Sequence, residues 1–272
     1  MMCLSPQQHE EEIQRNVRTW SRKPLLRKIY KGFHEAIAGF VRKDIPGLVV
    51  EVGSGIGNIK DVVPACLRTD LFPNPWIDRV ENAYALTFDD CSVAALVLFD
   101  VFHHLRYPGT AFKEFLRVLV PGGRVIIFEP CMSFAGIIVY GLFHHEPIAL
   151  TKPIVWLAPE GWQPQNDNYY AAQGNASRVF LNNNYVPLLP EWNVVCRRTF
   201  SAFSYVASGG YSKPQLYPEG WYSRMKTVDA LLDKIPVLFA TRLLVVLERP
   251  FNKQHLSTKA LGLSPQQNRG GL

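Results

Sequence analysis

The run Leu48-Val49-Val50-Glu51-Val52-Gly53-Ser54-Gly55-Ile56-Gly57-Asn58 constrains the fold of this chain more than any other segment. Its first half is apolar with almost no alternation, the mark of a strand buried on both faces of a parallel sheet. Its second half has glycine at alternate positions, the mark of a turn in which backbone can approach a ligand without Cβ clashes. A strand that empties into such a turn does so at the carboxyl edge of the sheet, where open α/β folds bind their ligands. Glu51, at that edge, offers an anionic acceptor to a cationic group. The dinucleotide fingerprint GxGxxG would put its third glycine at position 58, which is Asn58, so the spacing disfavours a nicotinamide cofactor.

The neighbouring sequence continues the pattern. From Gly47 to Pro130 short β-rich runs alternate with helical or turn segments, and strands are expected over 48–52, 66–69, 79–81, 94–99 and 124–128. Phe112, Phe115, Leu116 and Leu119 form a helical stripe that Pro121-Gly122-Gly123 should stop. The order is read as βαβ throughout with one exception. About nine residues, including Pro73 and Pro75, separate Asp70 from Val80, fewer than the roughly 10–12 a helical crossover needs. Upstream, Leu25, Leu26, Ile29, Tyr30, Phe33, Ile37, Phe40 and Val41 recur at helical spacing behind Pro24. Residues 131–190, rich in Pro, Asn, Trp and Tyr, read as a cap over a substrate side. Residues 191–205 read as a long strand, 227–238 as a helix and 241–248 as a final strand, and the polar, glycine-ended tail at 251–272 reads as disordered. The pentapeptide LSPQQ occurs at 4–8 and at 263–267 with no period between, a coincidence of composition.

Composition bounds the rest. With 47% hydrophobic and 19% charged residues in 272, the bulk of the chain folds as one large α/β domain with insertions. A formal charge of +6 permits nucleic acid, phosphorylated substrates or an anionic membrane without choosing among them. The cationic run Arg15, Arg18, Arg22, Lys23, Arg27, Lys28 and Lys31 is the place where an anionic membrane would be touched, although a solvated helix face explains it as well. Cys3, Cys66, Cys91, Cys131 and Cys196 are odd in number and never paired as CxxC, which predicts reduced, buried thiols and neither disulfides nor a zinc site. The start of the chain has no apolar core with a small-residue cleavage site, and the longest apolar run, 131–143, is about 13 residues against the roughly 20 of a membrane span. A cytoplasmic setting is the expectation.

Asp70, at the end of the second strand, has two acceptor oxygens for the hydroxyls of a ribose. With the glycine turn it suggests a nucleoside ligand. The segments EVGSGIG at 51–57, TD at 69–70, ALTFDDCS at 85–92, FDVFHHL at 99–105 and FLRVLVPGGRVIIFEP at 115–130 resemble the core of class I S-adenosylmethionine (SAM)-dependent methyltransferases, in particular the ubiquinone/menaquinone or "type 11" group. The resemblance covers residues 47–130. It implies a Rossmann-like α/β fold, a seven-stranded, mostly parallel sheet with an antiparallel final strand, which residues 191–250 complete and to which this chain adds an N-terminal helical segment (1–46) and the cap. It implies SAM as cofactor, with a glycine loop around the methionine half, an acid on the ribose and the residue after strand three on the adenine. By position these contacts fall on Glu51, Gly53, Ser54, Gly55, Gly57, Asp70, Leu71, Asn82, Ala83 and Phe99. Asn82 stands where the family usually has Asp, and Ala94 where it commonly has an acid.

Methyl transfer from a sulfonium needs alignment more than covalent help. For a hydroxyl acceptor a base is useful, and His103 and His104 after strand four, or His145 in the cap, are the candidates by residue type. His144, His145 and Glu146 make a poor metal site by spacing, because adjacent histidines point apart, so no metal is expected. Trp162, Tyr169, Tyr170, Tyr211, Tyr217, Trp221 and Tyr222 either line an acceptor pocket or pack the cap. FDVF lacks the Asn/Asp-Pro-Pro-Tyr/Phe element of exocyclic-amine methylation. The expected acceptor is therefore a small molecule, a lipid-linked molecule or a glycan, methylated at oxygen or carbon, with no nucleic acid partner. The competing readings are a SAM-binding scaffold without activity and a nucleotide-sugar or NAD enzyme of similar topology.

Overall fold

The computed structural model describes residues 6–143, 146–166, 170–182 and 185–251. All but the first residue of the expected disordered tail, and the second LSPQQ copy, fall outside these residues, whereas Pro6–Gln8 of the first copy lie in the first helix. Two helices open the chain, α1 (Pro6–Arg22) and α2 (Pro24–Ala38). Pro24 sits at the first turn of α2, where its missing N–H costs nothing, and Lys23 at the joint donates through Nζ to the carbonyls of Gly210 at 2.8 Å and Lys213 at 2.5 Å. Next come β1 (Leu48–Val52), β2 (Leu67–Asp70), β3 (Arg79–Val80), β4 (Val93–Phe99), α3 (Pro108–Val118) and β5 (Leu119–Pro130). They are followed by α4 (Phe134–Phe143), α5 (Asn175–Leu181), β6 (Asn193–Phe200), α6 (Phe203–Ala207), α7 (Tyr222–Leu232), α8 (Pro236–Phe239) and β7 (Arg242–Glu248).

The seven strands form one sheet in the order β3-β2-β1-β4-β5-β7-β6. β3 through β5 are parallel neighbours, while β7 runs antiparallel to both β5 and β6. The chain leaves β1 toward β2 on one side and returns to β4 on the other, so the order reverses between β1 and β4. The crevice at that switch point lies beside Gly53 and Asp100.

Helical crossovers are fewer than the sequence pattern suggests. The link from Asp70 to Arg79 has no helix, as its length and prolines require, but β1→β2 carries only a 3-10 turn (Asn58–Asp61) and β3→β4 has no helix either. Pro64 stops the first from extending. In the second, Glu81 accepts from Thr87 N at 2.8 Å and Thr87 Oγ1 at 2.5 Å, and Asn82 Oδ1 accepts from Tyr84 N at 3.0 Å, local bonds that compete with a helix.

A parallel sheet must be covered on both faces. α3 and α5 cover one, where Phe112, Phe115, Val179 and Phe180 pack with Val50, Leu96, Leu98 and Val245. The other is covered mainly by α2, with Leu25, Ile29, Phe33 and Ile37 on Ala95, Val97, Ile126 and Val246. Successive residues of β4 point alternately into these two clusters, so the strand is buried throughout.

Four local expectations change. The helical stripe expected to run to Pro121-Gly122-Gly123 ends at Val118, and Leu119 instead opens β5, which runs through those residues to Pro130 with its pairing jumping from Val93↔Leu119 to Ala95↔Arg124. The strand expected to Tyr205 stops at Phe200, because Asp229 accepts from Ser204 N at 3.1 Å and Ser204 Oγ at 2.5 Å and turns the chain into α6. The helix expected over 227–238 is α7 and α8, separated before Pro236, whose ring cannot continue a helix. Of the described cysteines, Cys66 and Cys131 are buried, whereas Cys91 is exposed and Cys196 half-buried.

If α2 is part of the core, Ile37→Ala should cost about 2–5 kcal/mol. Val237→Ala, on the exposed face of α8, should stay within about 0.5 kcal/mol. Urea denaturation of the two variants measures the difference.

Candidate active site

Glu51 closes β1, and the backbone beyond it turns through three glycines with positive φ, Gly53 at 72°, Gly55 at 53° and Gly57 at 66°. The turn is tied to the tip of β2. Ser54 N donates to Thr69 O at 2.8 Å, Thr69 Oγ1 donates to Glu51 O at 2.9 Å, and Gly55 N donates to Asp70 Oδ2 at 2.9 Å. The glycine turn and Asp70, 15 residues apart in sequence, are thus in direct contact. Two of the glycines are needed for different reasons. A Cβ on Gly57 would meet Trp76 O at 2.5 Å, a packing demand, whereas one on Gly55 would meet only Ile13 Cδ1, at 3.8 Å. Gly55 keeps the turn open beneath α1.

Beside the turn lies a cavity of about 130 Å³, lined by Glu51, Gly53, Gly55, Phe99 and Asp100 from the strand tips, by Asn16, Tyr30 and His34 from α1 and α2, and by Tyr211. Its groups are mostly neutral. Burial pulls the His34 imidazole down to about 4 and pushes the phenols of Tyr30 and Tyr211 well up. Burial also pushes Glu51 up to about 8, with Ser54 opposing, Asp70 adding to the rise and Arg68 opposing. Glu51 Oε2 is buried without a hydrogen-bond partner. An orphaned carboxylate oxygen of this kind fits an ammonium, which supplies both the missing donor and the countercharge.

At the tip of β2, Asp70 already accepts from Gly55 N and, at 2.7 Å, from Leu71 N. His9 of α1 stands over it, Nε2 3.8 Å from Oδ1, with its ring 5.1 Å from that of Phe72. Ligand pockets for molecules of drug size measure roughly 300–1,000 Å³. The present cavity is smaller, so a ligand reaching from Glu51 to Asp70 needs the space that His9 and Ile13 take. Leu71 is exposed, Ala83 packs against the core, and the Asn82 side-chain oxygen is engaged by Tyr84 N. Ser54 is buried, its Oγ accepting from Thr69 N at 3.2 Å.

Asp100 is the group that the sequence reading left without a role. It follows β4 with φ 55°, one of two described non-glycine residues in the left-handed region, and the other is Cys91. Its carboxylate pairs with the guanidinium of Arg242, which is itself boxed by Phe33, Phe99, Phe128 and Tyr205 with its carbon 4.8–5.8 Å from the ring centroids. The Arg242 side chain is 2% exposed and that of Asp100 31%, so the pair presents its acid to the cavity and hides its base. Burial pushes the Asp100 carboxyl up, and Arg242 pulls against it. The acid in FDVF was visible; its partner 142 residues away was not.

His103 and His104 do not line this cavity. His103 lies between Glu129, 2.7 Å from Nδ1, and Glu146, 3.1 Å from Nε2; burial lowers its pKa, but the two carboxylates outweigh that and hold it at about 10. His104 donates from Nδ1 to Tyr170 O at 2.9 Å, and burial beside His103 takes it down to about 4. His145 lies outside the described residues, as do His144 and Tyr169. Of the candidate aromatics, Tyr211 lines the cavity, Trp162 packs edge-on against Tyr84 and Tyr107, Tyr217 is buried with its hydroxyl on Ser204 O, and Trp221 is exposed.

The segment that builds the strand tips, residues 51–127, matches the family model described as a methyltransferase domain. The matched segment is therefore a methyltransferase domain of the type 11 kind; the chain is a SAM-dependent methyltransferase enzyme, and its cofactor is SAM. Among solved structures the chain is similar to a SAM-dependent methyltransferase, possible histamine N-methyltransferase, of Thermotoga maritima, at 15% identity over 88% of this chain and 99% of that one, TM-score 0.50. It is also similar to the [4+2]-cyclase SpnF, at 12% identity over 82% and 81%, TM-score 0.46, and to a SAM-dependent methyltransferase of Archaeoglobus fulgidus, at 10% identity over 82% and 94%, TM-score 0.46. At 15% identity the first of these likenesses is one of fold. No curated protein matches the chain.

Glu51 has a pH signature. A carboxyl raised from 4.5 to about 8 on folding favours the folded state fully below pH 4.5 and loses that contribution as pH rises through about 8. The ligand-free protein should therefore lose stability across this window, and Glu51→Gln should flatten the loss, as thermal denaturation at a series of pH values would show. If the SAM ammonium meets Glu51, binding near pH 7 should release a proton, read as a buffer-dependent enthalpy in calorimetry. If Asp70 accepts from the SAM ribose, Asp70→Ala should lower SAM affinity at least about tenfold, with the fold intact by circular dichroism.

Proposed function

We propose that the chain transfers the methyl group of SAM to an oxygen or carbon of a small-molecule, lipid-linked or glycan acceptor, and that Asp100 is the group facing the reacting atoms. SAM supplies an electrophilic methyl on a sulfonium. The chain's residues do the rest: Glu51 and the turn at Gly53–Gly57 hold the amino-acid end, and Asp70 holds the ribose. Asp100, at the tip of the next strand, would receive the proton that a hydroxyl acceptor loses as its oxygen bonds to the methyl carbon and the carbon–sulfur bond breaks, its electron pair going to sulfur as a neutral thioether. The proton then passes to solvent.

The observation that carries this reading is the geometry of Asp100, a carboxylate turned into the same cavity as Glu51 and backed by a buried guanidinium. Arg242 keeps the acid oriented, and burial makes it a stronger base than a solvated carboxylate. The surrounding Tyr30, His34, Phe99 and Tyr211 give the cavity apolar faces with neutral polar tips, suited to an uncharged hydroxyl compound. The absence of Asn/Asp-Pro-Pro-Tyr/Phe after β4 is consistent with an acceptor other than an exocyclic amine. Among the described residues no helix is long and apolar enough to cross a membrane. Arg15, Arg18, Lys28 and Lys31 are exposed on α1 and α2, open to an anionic surface that carries a lipid-linked acceptor, whereas Lys23 and Arg27 are spent on backbone carbonyls.

The test uses methyl-labelled SAM with cell extract, followed by partition of the labelled product between organic, aqueous and macromolecular fractions. Label in the organic or small aqueous fraction is the expected result, and label confined to protein or nucleic acid would refute the acceptor class. With the acceptor in hand, Asp100→Asn should lower kcat about 10²- to 10⁴-fold while calorimetry shows SAM affinity within a few-fold of the parent. Retained turnover in that variant would remove Asp100 from the reaction.

A further inference from the structure

Outside the cavity, the structure gathers donors that the sequence keeps apart. Nε2 of His103, Nε2 of His104 and the carboxylate of Glu146 converge, with the donor atoms of these three residues all within 4.8 Å of one another. His103 Nε2 is 3.1 Å from Glu146 Oε2, and His104 Nε2 is 3.5 Å from Glu146 Oε1. Donors on a tetrahedral Zn²⁺ at about 2.0–2.1 Å stand roughly 3.3 Å apart, so both separations already suit one shared ion.

Three further features point the same way. First, each imidazole is committed at its far nitrogen. His103 Nδ1 donates to Glu129 at 2.7 Å, Glu129 is fixed in turn by Phe102 N at 2.6 Å, and His104 Nδ1 donates to Tyr170 O. A carboxylate or carbonyl on the outer nitrogen is the usual support of a metal-binding histidine, since it orients the ring and turns the other nitrogen's lone pair inward. Second, the amide of Gln173 closes the fourth side, its Nε2 3.0 Å from His103 Nε2 and 2.5 Å from Glu146 Oε2. With the amide in this orientation, protons alone do not turn all three contacts among His103, Gln173 and Glu146 into hydrogen bonds, because His103 Nε2 either donates to Glu146 or accepts from Gln173. Third, Gln173 is 1% exposed and its Oε1 is buried with no partner among the described residues. A half-turn of the terminal amide exchanges its ends and places that oxygen where Nε2 now stands, facing the donors. The backbone holds these groups in register: Ile148 bridges Gln173, Gln173 N donates to Pro147 O at 3.1 Å, and Ala172 N donates to His103 O at 3.0 Å.

We propose that His103, His104 and Glu146 bind one divalent first-row transition-metal ion, with Gln173 at the fourth position. Two imidazoles and a carboxylate form a nitrogen-oxygen set that suits Zn²⁺ or Fe²⁺ and not Mg²⁺ or Ca²⁺, which prefer all-oxygen shells. The ion takes the place of the proton between His103 and Glu146. It joins the loop after β4 to the cap at 146 and 173, and so holds the cap against the sheet. The site shares no ligand with the SAM cavity and does not depend on the methyl-transfer reading.

The experiment extracts the full-length protein with a chelator, removes the chelator, and titrates Zn²⁺ alone in competition with a metallochromic dye, then repeats the titration with Co²⁺ and records its visible spectrum. One Zn²⁺ per chain is expected, and Co²⁺ should show d–d bands without a thiolate charge-transfer band. Glu146→Gln and His104→Ala should each weaken Zn²⁺ at least about tenfold, and Glu129→Gln about 10- to 100-fold. Cys91→Ser, which removes the exposed thiol, should change nothing. Circular dichroism and SAM calorimetry on the metal-free variants show that they are folded, and Glu146→Gln keeps the side-chain shape. Absence of stoichiometric Zn²⁺ binding in the parent would overturn the proposal, as would binding that survives Glu146→Gln or is lost in Cys91→Ser.

Discussion

Everything in this molecule follows from the need of a parallel sheet to be buried on both faces. β4 is a continuous apolar run and β1 is apolar apart from Glu51 near its tip, so each face has to be roofed. Among the parallel strands only α3 is a helical crossover, so one face would stand open if the chain ended with its strands. α2, from the far N-terminus, fills that gap with Leu25, Ile29, Phe33 and Ile37. Because α2 comes to rest there, Tyr30 and His34 reach the carboxyl edge and become walls of the cavity beside the glycine turn. The site is in this sense a consequence of how the sheet is covered.

The second organising element is the ion pair of Arg242 and Asp100. A guanidinium taken fully out of water is costly unless it is paired, and here the compensation comes from one carboxylate and four aromatic faces. The pair joins the antiparallel strand β7 to the tip of β4, across β5. It also supports a non-glycine residue in the left-handed region, which surrounding structure must over-determine if it is to persist. The result is a carboxylate with a fixed direction beside the glycine turn. α1 crowds the cavity for a whole nucleoside ligand, since Ile13 stands over Gly55 and His9 over Asp70, so that access to both depends on the position of α1.

The local parts of this design were legible in the residues. The buried run at 48–52, the glycine turn, the helical stripe of α2, the missing crossover before Pro73 and the final strand all appear where hydrophobic period and turn chemistry put them. The misreadings have a common origin. The strand carried on to Tyr205 and the helix carried on to Leu238 were broken by Asp229 and by Pro236, the first a contact from 25 residues away. The β-rich spacing between 53 and 92 suggested crossover helices, but Glu81 and Asn82 spend their side chains on nearby backbone groups instead. Asp100 was visible as an acid after strand four and carried no distinguishing sign, because its partner sits on the last strand. Glu146 was grouped with its sequence neighbours His144 and His145, whereas the fold sets it against His103 and His104, 43 and 42 positions upstream.

The sequence by itself determined which segments are strands, where the backbone turns tightly, and that one strand ends in a glycine-rich turn, since these depend on residues within a few positions of one another. The tertiary structure alone decided which helix roofs each face, which cation backs Asp100, what stands over Asp70 and which carboxylate meets the paired histidines. The physical reason is range. Torsional preference and hydrophobic period act along a dozen residues, whereas the burial of apolar area and the pairing of buried charge act through space and take partners from wherever the folded chain brings them.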